Sequence, residues 1–125
     1  LMEGMVLKPN MVISALDCSE QASVEKVAEM TLQCLKNNVP ESVAGIAFLS
    51  GGQSSDLATA HLNAMNVMDS NLPWNLTFSY GRALQQDALN IWKGTNRKEA
   101  QDAFLNRAKN NSFASMGQYL SPKTI

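Results

Sequence analysis

The sequence predicts an α/β protein built from parallel strand and helix units, either a doubly wound sheet or part of a (β/α)8 barrel. Three short apolar runs alternate with segments of helical periodicity, at intervals of about 30 to 40 residues. The central run, residues 43–49, is continuously apolar, which is typical of a parallel strand covered on both faces. In both architectures, function gathers at the carboxyl ends of the strands.

The first unit begins with a short strand at residues 5–7. Pro9 disfavours helix at Lys8 and lacks a backbone donor, so the strand ends there. The apolar spacing that follows predicts one buried helix face, and the helix ends at residues 37–40. The members of this face are Val24, Val27, Ala28, Thr31 and Leu35.

The second unit connects the strand at residues 43–49 to a helix through the segment Ser50-Gly51-Gly52-Gln53-Ser54. Ser54 or Ser55 can cap this helix, Asp56 lies in its first turn, and residues 69–73 end it. The apolar stripe predicted for the helix consists of Leu57, Ala60, His61, Ala64, Met65 and Met68.

The third unit has a strand at residues 74–80, a turn at Gly81 and a helix from Arg82 to about Trp92. After an interruption at residues 93–96, a last amphipathic helix follows, and residues 121–125 are expected to form a loose tail. The residues predicted to form the buried side of that last helix are Ala100, Ala103, Phe104 and Ala108.

Composition excludes several classes of protein. The 125 residues are 45% hydrophobic with a net charge of -1, as expected for one soluble globular domain. Ten basic against eleven acidic residues leave no positive field for nucleic acid or an anionic membrane. No apolar run approaches the roughly 20 residues of a membrane span. Cys18 and Cys34 form no CxxC pair, which favours a reducing compartment, and the absence of ligand spacing predicts no metal.

Polar or charged residues follow all three predicted strands: Lys8, then Ser50-Gly51-Gly52, then Ser79 with Gly81 and Arg82. A glycine turn before a helix exposes backbone N–H groups that bind anions, and a guanidinium binds phosphate oxygens through two hydrogen bonds. The pattern therefore predicts a phosphate site. The alternative is that the glycines only form a tight turn.

Two other residues have competing interpretations. At the mouth of a barrel, Lys8 would lose its proton more easily through desolvation or neighbouring cations, and a neutral amine attacks a carbonyl to form a Schiff base. From spacing alone, a lysine that extends to solvent from a strand end is the simpler interpretation. His61, on an apolar helix stripe, is interpreted as a packed or rim histidine rather than a catalyst.

Four blocks of sequence occur in an order and at intervals typical of one enzyme family. They read LMEGMVLKPNMV at 1–12, FLSGGQS at 48–54, LNAMN at 62–66, and Trp74 with LTFSYGRALQ at 76–85. Together they closely resemble class I fructose-bisphosphate aldolase, up to about Tyr119. The resemblance implies a (β/α)8 TIM barrel, of which residues 1–125 are the C-terminal part: the last three βα units and the C-terminal helix of a single domain.

The resemblance also implies an activity, the reversible cleavage of fructose 1,6-bisphosphate to dihydroxyacetone phosphate and glyceraldehyde 3-phosphate in glycolysis and gluconeogenesis. It implies a sugar-phosphate substrate, no cofactor, a cytoplasmic location and a homo-oligomer, a tetramer as in the family. The implied roles are the Schiff-base lysine for Lys8, phosphate binding for Ser50, Gly51, Gly52, Gly81 and Arg82, and a site-lining position for Ser79.

The chain departs from the family pattern in ways that bear on activity. The family's general acid and base carboxylates lie on earlier strands, and Glu3 does not match its proton-transfer glutamate. We expect a chain cut at its front and, by itself, inactive, because a proton-transfer partner contributes about 10²- to 10⁴-fold. The alternative is a catalytically inactive half-barrel that binds phosphate esters or assembles with another chain.

Overall fold

A computed structural model describes residues 1–122 and confirms the predicted order of strands and helices. After a 3-10 turn at Met2–Gly4, the strands are β1 (Val6–Leu7), β2 (Gly45–Phe48) and β3 (Asn75–Phe78). The helices are α1 (Val24–Asn38), α2 (Ser55–Met68), α3 (Arg82–Trp92) and α4 (Arg97–Ser115). In the predicted tail, residues 121 and 122 are exposed, and residues 123–125 lie outside the described part.

The three strands form one parallel sheet in the order β1-β2-β3. Leu7 of β1 is in register with Ile46 of β2, and Ile46 is in register with Leu76 of β3. β1 is shorter than predicted at its amino end, and β2 and β3 are shorter at both ends. Backbone pairing continues beyond the strands, because Leu49 N donates to Pro9 O at 3.0 Å. The parallel arrangement brings the three carboxyl ends to one edge of the sheet.

The two faces of the sheet differ in burial. In β2, Ile46 and Phe48 are fully buried, whereas Gly45 and Ala47, which point the other way, are half-buried. On that second face of β1, Val6 is 67% exposed. The expectation of a strand covered on both faces is therefore wrong for the described residues, because their helices pack on one face. We call the uncovered side the open face.

The helix faces follow the prediction closely in α1 and only partly in α2. In α1, the predicted residues other than half-buried Val24 are buried together with Leu32, and Ser23 caps the helix. In α2, the predicted stripe is wrong at Leu57 and Met68, which are 47% and 46% exposed. Apolar residues occur on several sides of α2, so their spacing in the sequence did not identify which side is buried. Its buried residues are Ser55, Ala58, Thr59, His61, Leu62 and Met65.

The buried side of α4 contains polar residues that the apolar pattern did not predict. Ala100 is buried as expected, but Phe104 is 40% exposed. Arg107 and Asn111 are buried instead, because they meet polar partners on α2 and α3. Within residues 1–122, no helix combines the length and the apolar character that crossing a membrane requires.

Candidate active site

The glycine pair after β2 forms a tight turn. Gly51 and Gly52 have φ of +58° and +83°, and Gln53 N donates to Ser50 O at 3.0 Å. Two successive positive φ angles are the backbone of a type I′ turn, which glycine adopts at little steric cost. A Cβ on Gly51 would also overlap the side-chain amide of Asn10. Tight-turn geometry therefore explains both glycines, and it delivers the chain directly to the start of α2.

The first turns of α2 and α3 leave backbone donors free for a ligand. Ser54 caps α2 by accepting from Leu57 N at 3.3 Å, so the preceding N–H groups of the first turn have no acceptor within the helix. Gly81 begins α3 without a side-chain cap, and its carbonyl accepts from Leu84 N at 3.1 Å. Each helix start therefore has the partial positive charge that favours a bound anion.

A cleft of about 300 Å³ lies between these two helix starts. Gly52, in the loop before α2, forms part of the wall of the cleft. The exposed residue Arg82, at the start of α3, forms another part. Two helix starts and one guanidinium facing a common space form an arrangement suited to a phosphate group. The complete lining is Gly52, Gln53, Ser54, Ser55, Arg82, Ala83 and Gln86.

Lys8 lies on the open face of the sheet, one position beyond β1. The register places it level with Ala47 and Thr77, whose side chains point to the same face, and Lys8 is exposed. It therefore lies three residues before the level of Ser50, roughly 10 Å along the strand direction. The same alternation places Ser79 on the open face.

Of the sequence-predicted site residues, the cleft brings together Gly52 and Arg82. Ser50 is 7% exposed, and strand alternation places it on the helix-covered side of the sheet. The remaining predicted residues lie at the same edge of the sheet without lining the cleft, namely Lys8, Gly51, Ser79 and Gly81.

His61 is packed in the interior, as expected. It is 4% exposed, and its Nδ1 makes a hydrogen bond with Oε1 of Gln53. Because an amide oxygen only accepts, Nδ1 carries the proton, and the buried Nε2 atom has no partner within residues 1–122. Burial lowers the pKa of His61, against a smaller opposing effect of Glu25. The imidazole is therefore held neutral, and it supports the loop residue Gln53.

Tyr80 anchors the segment that leads into α3. Its hydroxyl donates to the carbonyl of Ala58 in α2 at 2.8 Å, and the side chain is buried. Burial raises the pKa of Tyr80 far above its ordinary value, so the group stays a neutral donor. This bond ties the end of β3 to α2, next to the cleft.

An ionic cluster behind the cleft was not predicted from the sequence. Arg107 of α4 contacts Asp56 of α2 and Asp87 of α3. A sequence signal existed, because Arg107 lies seven residues after Ala100 on the same helix face. In the part of the chain that the structure describes, no three His, Cys, Asp or Glu side chains lie close enough to hold a metal ion, and Cys18 and Cys34 are exposed.

The fold and the strand-end residues define an α/β protein of parallel strand–helix units with a site suited to a small anionic ligand. A family model described as class I fructose-bisphosphate aldolase, the glycolytic family, matches residues 1–124, and the chain belongs to this family.

Similar proteins agree with this membership. A Xylella fastidiosa protein named "Probable fructose-bisphosphate aldolase class 1" is 53% identical over 123 residues, covering 95% of this chain and 36% of that protein. The cytoplasmic isozyme of fructose-bisphosphate aldolase from Spinacia oleracea is 50% identical over 121 residues, covering 95% and 34%. The chain thus spans about a third of the length of these relatives.

A solved structure shares the fold. It is fructose-bisphosphate aldolase from Plasmodium falciparum in complex with TRAP and a small-molecule inhibitor, and it superposes with a TM-score of 0.91 at 43% identity. The match covers 98% of this chain and 35% of the other chain. The strand and helix arrangement described above is therefore an arrangement found in aldolase structures.

Proposed function

We propose that this chain supplies the Schiff-base lysine and one phosphate site of a class I fructose-bisphosphate aldolase, as the last three βα units of a (β/α)8 barrel. The observation that carries the proposal is the cleft where the starts of α2 and α3 converge with Arg82, at the same sheet edge as Lys8. The reaction would be the reversible cleavage of fructose 1,6-bisphosphate into dihydroxyacetone phosphate and glyceraldehyde 3-phosphate.

Lys8 would act as the nucleophile. Its amine adds to the C2 carbonyl of the ketose, and loss of the carbonyl oxygen as water leaves an iminium. The C4 hydroxyl would give its proton to a general base on an earlier strand as the C3–C4 bond breaks. The electron pair of that bond would move into the iminium, leaving an enamine on Lys8, and glyceraldehyde 3-phosphate would depart. Lys8 lies on the open face of the sheet, which is the face directed to the interior of a closed barrel.

The cleft would hold the phosphate attached to C1. The first-turn N–H groups of α2 and α3 would donate to its oxygens, and Arg82 would add two charge-assisted hydrogen bonds. Lys8 and Ser50 are separated by roughly 10 Å along the strand direction, and this separation supports the assignment of two different roles. A phosphate bound beyond the strand ends would place the adjoining C2 carbonyl nearer to the Lys8 amine. Binding energy remote from the reacting bond then orients the carbonyl. Ser50, Gly51 and Gly81 would shape the loops, and Ser79 would line the open face.

Borohydride trapping with dihydroxyacetone phosphate tests the role of Lys8. The 125-residue chain, shown to be folded by circular dichroism, is reduced and then measured by intact mass and peptide mapping. Trapping detects imine formation alone, whereas cleavage needs the carboxylates of earlier strands and is not expected from this chain. We expect one adduct on the peptide that contains Lys8, lost in Lys8→Arg and retained in the exposed-lysine control Lys26→Ala. An adduct spread over several lysines, or one that persists in Lys8→Arg, would contradict the assignment.

The phosphate site has a test of its own. Arg82→Met should weaken binding of dihydroxyacetone phosphate about tenfold or more, as expected for losing a charged hydrogen bond. Arg97→Met, an exposed arginine at the start of α4, serves as the matched control and should bind as the wild type does. Equal affinities for the wild type and Arg82→Met would refute the phosphate site.

A catalytically inactive half-barrel is the second candidate, and the free sheet edges favour it. Within residues 1–122, β1 and β3 each pair only with β2, and Val6 of β1 is 67% exposed. Unpaired parallel edges attract further strands. This candidate predicts self-association or capture of a second chain without imine formation, whereas a monomer that forms the Lys8 adduct would exclude it. Molar mass by light scattering separates the two results.

The cellular setting is part of the same proposal. We propose a cytoplasmic location, a sugar-phosphate substrate and a homo-oligomeric assembly, a tetramer as in the family. The cytoplasmic isozyme from Spinacia oleracea supports the location. Equilibrium sedimentation of the assembled protein tests the oligomer.

A further inference from the structure

A buried arginine on α4 connects the two helices that form the cleft. Arg107 is 7% exposed. Its Nη2 donates to Oδ1 of Asp56 in α2 at 2.7 Å, and its Nε donates to Oδ2 of Asp87 in α3 at 3.0 Å. Its Nη1 also donates to Oγ1 of Thr59 in α2 at 3.1 Å. One guanidinium therefore bonds to three side chains on two helices.

The cluster reaches the wall of the cleft through a serine. Ser55 Oγ donates to Oδ1 of Asp87 at 2.8 Å, and Ser55 is the first residue of α2 and part of the cleft lining. Asp87 thus accepts from α2 and from α4 at once. The cluster fixes the first turn of α2 against α3, and these are the two helices whose starts face the cleft.

The charges of the cluster also bear on anion binding. Asp56 is in the first turn of α2, where a free carboxylate would repel a bound phosphate. Burial by itself would lower the pKa of the Arg107 guanidinium, but its hydrogen bonds to Asp56 and Asp87, together with their negative charges, raise it. Because the Asp56 and Asp87 side chains are 79% and 35% exposed, their ion pairs with Arg107 contribute little stability. Their geometry is better explained as specification of how α2, α3 and α4 meet.

We propose that Arg107 is a positioning residue for the phosphate cleft, acting through Asp56 and Asp87 to set the first turn of α2 against α3. This inference rests on the function proposed above for the cleft. Arg107 does not touch the ligand, so its effect reaches the ligand through the direction of the N–H groups and of Arg82. Small displacements of such groups reduce binding and catalysis strongly.

Asp56→Asn gives a test in which positioning and simple electrostatics predict opposite results. Removing a carboxylate beside an anion site should tighten phosphate binding if only charge matters. If Asp56 acts by holding Arg107, the substitution weakens the charge-assisted bond and loosens the first turn of α2. The Asp56 side chain is 79% exposed, so the variant is expected to fold. We expect a several-fold higher Kd for inorganic phosphate, measured by calorimetry on the 125-residue chain.

Arg107→Lys extends the test, because it retains the charge and loses the planar fork. We expect phosphate Kd to rise about tenfold. Two controls separate positioning from folding. Leu35→Ala, at a buried position of α1 away from the cleft, should lower Tm without changing Kd. Asp102→Asn, which removes the exposed partner of Lys98, should change neither. Arg107→Lys and Asp56→Asn that bind phosphate as tightly as wild type, whatever their Tm, would overturn the positioning role.

The design keeps the two proposals apart. If the wild type and Arg82→Met bind inorganic phosphate equally, the cleft is not a phosphate site, and the proposed function fails together with this inference. If Arg82→Met loses binding while Arg107→Lys and Asp56→Asn retain it, only the positioning role fails.

Discussion

Replacing Gly51 with alanine tests the geometry of the turn between β2 and α2. At its φ of +58°, an L-residue is disfavoured by about 1 to 2 kcal/mol. The new Cβ would also overlap the Asn10 side chain, whose Oδ1 accepts from Met11 N at 3.0 Å. Displacing that amide loses a hydrogen bond of about 1 kcal/mol. We expect Gly51→Ala to lower the free energy of unfolding by about 2 to 3 kcal/mol.

Urea denaturation followed by tryptophan fluorescence measures this loss, since Trp74 is buried and becomes solvated on unfolding. Gly45→Ala is the matched control. A Cβ on Gly45 meets only Asn75 O at 3.7 Å, and the φ of Gly45 is not in the left-handed region. Gly45→Ala should therefore raise the free energy of unfolding by at most about 0.5 to 1 kcal/mol. In an Asn10→Ala background, where both the overlap and the Asn10 hydrogen bond are already gone, Gly51→Ala should cost only the backbone part of about 1 to 2 kcal/mol. Equal stability of Gly51→Ala and the wild type would refute the turn as described.

Three further substitutions test the interior around the site. Tyr80→Phe removes the hydroxyl bonded to Ala58 O and should lower the free energy of unfolding by about 1 kcal/mol in urea; no loss would mean that the bond is absent in solution. Phe48→Ala empties a fully buried position, so calorimetry should show a loss of about 3 to 5 kcal/mol, and a loss under 1 kcal/mol would contradict its burial. Because the folded-state pKa of His61 lies below 6.5, the unfolded state binds the proton first as pH falls, and stability should decline below about pH 6.5. His61→Gln should lack that decline, and an identical pH profile would show that His61 does not cause it. The chain has one histidine, which makes this comparison clean.

Element ends and buried faces were predictable from the sequence where a single local feature determined them. Pro9 marked the end of β1, and the spacing from Val27 to Leu35 defined the buried face of α1, because that helix has a single apolar side. It failed in α2, where apolar residues occur on several sides and tertiary packing selected the face that includes Leu62 rather than Leu57. Periodicity alone cannot rank two apolar faces.

The candidate site likewise has a part that was predictable from the sequence and a part that was not. The residues at the strand ends were predictable because parallel strands must end at one edge, and the placements of Gly52 and Arg82 in one cleft agree with this. Behind the cleft, the spacing from Ala100 indicated only that Arg107 lies on the buried side of α4, and the partners of Arg107 were not predictable. Arg107 is 51 residues from Asp56 and 20 residues from Asp87 in the sequence, and only the packing of three helices brings them together. Charged residues on a helix are usually solvated, so sequence alone favoured the wrong interpretation.

Alternate residues of a strand point to opposite faces of the sheet, so substitutions on the two faces have different effects. Ile46 and Phe48 carry the packing of the helices, so substitutions there act on stability. Ala47 and Thr77 point to the open face and make no part of that buried core, so new side chains there alter what Lys8 meets while the helix layer remains intact. Under the role proposed for Lys8, specificity at this face can therefore change without a matching loss of stability.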